Sequence, residues 1–63
     1  MSAWRAIVVD DEAPARRRIR DLLADVEDID LVAECPDGAA AVDEIQARAP
    51  DVLFLDVQMP ELS

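Results

Sequence analysis

Apolar residues change period in a regular order along the chain. Trp4 to Val9 ends in the run Ala6-Ile7-Val8-Val9, apolar on both faces and rich in β-branched residues, before Asp10-Asp11 stops it. A strand without alternation is one buried on both sides, which is how a parallel sheet covered by helices reads. Ile19, Leu22, Leu23 and Val26 then follow at helical spacing, and Pro14 suits a first helical turn, where a missing N–H costs nothing. This predicts a first strand, β1, at Trp4–Val9 and a first helix, α1, at about Ala13–Asp25.

Leu31-Val32-Ala33-Glu34-Cys35 reads as a short second strand, β2, ended by Pro36-Asp37-Gly38. Asp37 stands where an N-cap is wanted, its carboxylate able to accept orphan N–H groups of the next turn. Ala39 to Ala49 is rich in helix formers, with Ala41, Val42 and Ile45 as its apolar stripe, and Pro50 closes this helix, α2. Val52-Leu53-Phe54-Leu55 is a third doubly apolar strand, β3, ending at Asp56; Val57-Gln58-Met59-Pro60 leaves it as a loop. The order β1-α1-β2-α2-β3 predicts an α/β fold, a parallel sheet with helices on both faces and right-handed crossovers. In such sheets ligands bind beyond the carboxyl ends of the strands, where the strand order switches.

Composition narrows the chemistry. The 63 residues are 52% hydrophobic and 33% charged, fitting one small globular domain rather than a disordered segment. Six arginines against 15 acids leave a net charge of −9, which repels nucleic-acid phosphates and anionic membranes. No direct nucleic-acid contact by this segment and no membrane association are therefore expected. No apolar run approaches the length of a membrane span, and Met1–Val9 lacks the long core of a signal peptide. With one cysteine, Cys35, and no histidine, an internal disulfide and a Cys/His zinc site are excluded. Lysine, threonine and tyrosine are also absent, so any chemistry here is carboxylate chemistry.

Two strands end in acids at the same relative position, Asp10-Asp11 after β1 and Asp56 after β3. Were those strands parallel neighbours, their ends would lie about 5 Å apart. Two like charges at about 4 Å cost roughly 4 kcal/mol at an effective dielectric near 20. Such a cluster takes up protons or binds a cation, and hard oxygen donors favour Mg2+ or Mn2+. Alternatively, Asp10, Asp11 and Asp56 are ordinary strand-end acids, solvated or capping helices.

These segments carry a resemblance. Ile7-Val8-Val9-Asp10-Asp11-Glu12, the Pro36-Asp37-Gly38 turn, Pro50-Asp51 and Val52-Leu53-Phe54-Leu55-Asp56-Val57-Gln58-Met59-Pro60 together resemble the response-regulator receiver domain, the phospho-acceptor module of bacterial two-component signalling. The acid pair combined with Asp-x-x-Met-Pro after a third strand is specific, although each alone would be weak. The run Asp10-Asp11-Glu12-Ala13-Pro14-Ala15-Arg16-Arg17-Arg18-Ile19-Arg20 is further similar to receivers that precede a LytTR-type DNA-binding domain. The resemblance implies a flavodoxin-like (CheY-like) sheet with strand order 2-1-3. It implies Asp56 as the phospho-acceptor, supplied by a sensor histidine kinase or phosphotransfer protein, in a bacterial cytoplasmic phosphorelay. Asp10 and Asp11 match the acids that hold Mg2+, with Asp56 and the Gln58 main-chain carbonyl completing the set. The kinase shares the catalysis, so the chain is not expected to be an enzyme. A haloacid-dehalogenase-type hydrolase is disfavoured because no acid follows Asp10 or Asp11 by two residues.

A complete receiver has about twice this length. Its switch Ser/Thr, its site lysine and its aromatic switch residue have no counterpart here, so residues 1–63 are expected to be the N-terminal half of a receiver. A half-receiver would expose the Val52–Leu55 strand as an edge, a template for association. The rival expectation is accordingly a non-phosphorylatable interaction or self-association module, a dimer through that strand. Among the remaining residues, Arg16, Arg17, Arg18 and Arg20 read as a solvated face with an Arg17–Asp21 pair, or else as a docking surface for the kinase. Cys35 reads as a small buried residue, and Trp4 as a cover for the exposed start of β1.

Overall fold

The computed structural model describes residues 3–55. Its elements run β1 (Trp4–Val9), α1 (Ala13–Leu23), β2 (Ile29–Cys35), α2 (Gly38–Arg48) and β3 (Val52–Leu55). The three strands form one parallel sheet in the order β2-β1-β3. This is the α/β, flavodoxin-like arrangement expected, with β1 at its centre. Helix α1 ends at Leu23 rather than near Asp25, and β2 begins two residues earlier than its apolar run, at Ile29. The earlier start comes from pairing, because Trp4 and Arg5 of β1 face Ile29 and Asp30 in register.

The doubly apolar central strand is buried on both sides: Ala6, Ile7 and Val8 have no exposed surface and Val9 has 1%. Successive side chains of a strand point to opposite faces, so the two helices divide them. Ile7 and Val9 form the core with Cys35 and with Ala41 of α2, and Val32, Ala33, Ala40 and Ile45 pack around it. The other face carries Val8 and its register partner Glu34, and there α1 lays Arg16 and Arg20 against Glu34.

Register is irregular at one point. Ala6 pairs with Leu31 but Ile7 pairs with Ala33, so Val32 is an extra residue in β2. A one-residue slip exchanges the faces of everything beyond it. The irregularity therefore puts Cys35 with the core and Glu34 on the α1 side.

Both ends of α2 and the start of α1 are punctuated as the sequence suggested. Asp37 caps α2, its carboxylate accepting from Ala40 N–H at 2.8 Å. The helix closes at Ala49 in the left-handed region (φ 46°), its N–H donating to the Ile45 carbonyl, and Pro50 follows. Pro14 sits in the first turn of α1. Trp4, expected to cover the start of β1, is itself 59% exposed. Leu53 and Leu55 of the outer strand β3 are 40% and 53% exposed.

Candidate functional site

The site is built at the carboxyl end of the sheet, next to the central strand. Strand order 2-1-3 means the chain crosses to opposite sides of β1 in its two excursions, so the switch point lies between β1 and β3. There the strands pair in parallel, with Val9 opposite Leu55. The next residue after Val9 is Asp10, and the next after Leu55 is Asp56. Asp56 and Gln58, two of the four expected ligating residues, lie outside the described residues.

Asp10 is 5% exposed, the one buried charged residue among those described. Three of its polar groups are engaged, one by β2 and two by α1 and its N-cap residue. Its N–H donates to the Cys35 carbonyl at the end of β2 (3.0 Å). Carboxylate Oδ1 accepts the Glu12 N–H (2.9 Å), so Asp10 ties down the residue that leads into α1. Its carbonyl accepts from Arg16 Nη1 (2.6 Å). Glu12, at the N-cap position of α1, makes no capping bond with its own side chain. Asp11 is exposed beside this anchored residue.

Of the two readings of Asp10 left open by the sequence, the structure shows the one in which the acid orders the start of a helix. Its carboxylate accepts the Glu12 N–H at the entry to α1, and its backbone follows β1 where that strand pairs with β3. Among the described residues no buried side-chain oxygen lacks a hydrogen-bond partner, and no three acids converge into a cation cage. Two adjacent carboxylates, one held rigidly and one exposed, are the hard donor chemistry that suits Mg2+ or Mn2+. The donor chemistry of Asp10 and Asp11 fits such an ion.

Arg16 departs from the expected solvated face. It is half-buried, bonded to the Asp10 carbonyl and 4.0 Å through Nε from Glu34 Oε1, while Arg20 reaches Glu34 Oε2 at 3.3 Å. Hydrogen bonds to charged groups stabilise by about 1.5–3 kcal/mol, more than neutral ones. The Arg17–Asp21 pair is not among the ion pairs of the described residues; Arg17 and Asp21 line an open surface groove with Pro14, Arg18 and Leu22. A signal for Arg16 was present. It lies one turn beyond Glu12, and long helical side chains lean back toward the N-terminus, over Asp10. Glu34, the one acid between Leu31 and Cys35, was its counterpart.

Cys35 is buried as expected, 1% exposed. Burial pushes its thiol above the ordinary value, Glu44 and Asp37 add to the shift, and Arg16 opposes it.

Comparison with known proteins agrees with this geometry. Residues 6–63 match the response regulator receiver domain family. An uncharacterized response regulatory protein of Yersinia pestis is 48% identical over 59 residues, covering 94% of this chain and 25% of that protein. The transcriptional regulatory protein BtsR of Salmonella typhi is 44% identical, with the same coverage. A protein-glutamate methylesterase/protein-glutamine glutaminase of Alkalilimnicola ehrlichii is 43% identical over 58 residues, covering 92% of this chain and 15% of that protein. The chain spans about a quarter of the length of the first two relatives. A 2-1-3 parallel sheet, a buried acid at its switch point and a match over residues 6–63 converge: the chain belongs to the response regulator receiver domain family.

Proposed function

We propose that residues 1–63 are the β1-α1-β2-α2-β3 portion of a receiver whose Asp56 accepts a phosphoryl group from a sensor histidine kinase or phosphotransfer protein in a bacterial cytoplasm. The observation that carries this is the in-register pairing of Val9 with Leu55, the residues that precede Asp10 and Asp56. In the transfer, an Asp56 carboxylate oxygen forms a bond to phosphorus as the phosphohistidine N–P bond breaks, and the imidazole nitrogen keeps the electron pair. Asp10, Asp11, Asp56 and the Gln58 main-chain carbonyl would hold Mg2+ or Mn2+. When bound, the ion would neutralise charge on the phosphoryl oxygens. The chain's own contribution is placement, with Asp10 held through N–H, carbonyl and carboxylate so that little reorganisation is needed.

One relative is named for transcriptional regulation and another for methylester hydrolysis, yet both share this segment. That supports a shared phosphorylation-controlled input rather than an enzyme in its own right. Among the described residues no helix is long and apolar enough to cross a membrane. The test is incubation with acetyl phosphate and Mg2+ followed by intact mass. A gain of one phosphoryl that disappears in Asp56→Asn and on chelation of the metal supports the proposal. No gain in the parent chain rejects it for these residues.

The exposure of Leu53 and Leu55 on the outer strand favours a second reading, self-association of the chain through Val52–Leu55. Sedimentation should then show a dimer that Leu53→Glu converts to monomer. A parent chain that is monomeric at micromolar concentration removes this reading.

A further inference from the structure

The contacts of Arg16 point to a role beyond packing. Its guanidinium donates to the Asp10 carbonyl and stands against Glu34 of β2, while its own N–H donates to the Glu12 carbonyl in the first turn of α1 (3.2 Å). It thus links the end of β1, the start of α1 and the neighbouring strand. The bonded carbonyl belongs to the peptide group that joins Asp10 to Asp11. That group is planar, so holding its oxygen also sets the direction of the Asp11 N–H and limits how the Asp11 backbone can turn. Asp10 Oδ1 is fixed from the other side by the Glu12 N–H. Without Arg16, the peptide between the two acids loses its only side-chain anchor among the described residues.

We propose that Arg16 is a positioning residue, held by Glu34, that locks the Asp10–Asp11 peptide group and so presents both carboxylates to a divalent cation. The inference rests on the cation-binding reading of the acid pair given above. Partners of this kind, one step removed from the ligands, typically change metal affinity 10- to 100-fold when replaced. The charge of Arg16 works in the opposite sense, since a cation near two carboxylates competes with the metal. Arg16→Lys separates the two effects, because it keeps the charge but loses the planar fork that faces a carbonyl and a carboxylate together.

The experiment is titration of the full chain with Mn2+ by calorimetry, alongside its thermal unfolding midpoint without metal. Arg16→Lys should bind Mn2+ about tenfold more weakly or worse, and Glu34→Gln should shift affinity in the same direction by less. Arg17→Lys, on the exposed side of α1, should leave affinity unchanged. Should Arg16→Lys fail to fold, Glu34→Gln carries the test alone. Parent-like affinity in the folded Arg16 and Glu34 variants, with binding abolished in Asp11→Asn, overturns the positioning role while leaving the metal site intact. Unchanged Mn2+ binding in Asp11→Asn overturns the cation-binding reading itself, and this inference with it.

Discussion

Asp10 has an observed role at the start of α1 and a proposed one toward a metal ion, and one pair of substitutions can separate them. It is 5% exposed, and its Oδ1 accepts the Glu12 N–H at the entry to α1. Asp10→Asn keeps an oxygen acceptor of the same size and removes the charge; Asp10→Ala removes both. A hydrogen bond to a charged acceptor contributes about 1.5–3 kcal/mol, and part of this is offset because the carboxylate no longer has to be desolvated. Asp10→Ala should therefore lose about 1–2 kcal/mol, or about 4–16 °C in Tm for a domain of this size. In EDTA, Asp10→Asn should melt at or above the parent. Mg2+ then separates the parent from Asn: at a hundredfold excess over Kd, an ion that binds only the folded state stabilises by ~2.7 kcal/mol. The assay is thermal unfolding followed by circular dichroism, with EDTA or with millimolar Mg2+. Equal destabilisation of Asn and Ala in EDTA would refute the acceptor role of Oδ1. An equal rise in Tm with Mg2+ in the parent and in Asp10→Asn would refute the assignment of Asp10 to the metal.

Two further perturbations read the frame around the site. Asp37→Ala removes the bond to Ala40 N–H that caps α2 and should cost about 1 kcal/mol in denaturant melts, whereas Asp37→Ser should restore most of it. Burial raises the Cys35 thiol above its ordinary 9.0, so the folded state holds this proton while the unfolded chain releases it. The associated stability is complete below about pH 9 and is lost as pH rises through the folded value, so Cys35→Ala should flatten the alkaline arm of a stability–pH curve. The same burial predicts slow alkylation of Cys35 by iodoacetamide at pH 8, accelerated by denaturant.

The described part of the candidate site was legible where it follows local rules. Asp10 and Asp11 announce themselves as acids that directly follow a doubly apolar run, and the Asp37 cap follows from a turn and a helix-forming stretch; Asp56 carries the same sequence pattern but lies outside the described residues. The arginines were less legible. Arg16, Arg17, Arg18 and Arg20 form one sequence cluster, yet Arg16 turns inward to the Asp10 carbonyl and Arg20 reaches Glu34, while Arg17 and Arg18 stay at the surface. Composition cannot sort them, because each partner is contributed by another element at a distance set by packing.

The order of strands and helices, the burial of Ile7, Val8 and Val9, and the punctuation of α2 were determined by the sequence, since periodicity and capping act between residues a few positions apart. Tertiary structure alone decided that Val32 is skipped in the pairing of β2 with β1. That one-residue shift turns Glu34 toward α1 and Cys35 toward the core, and it gives Arg16 its partner. The reason is physical: register is chosen by how two whole strands and the helices above them fit together, a comparison no short window of sequence contains.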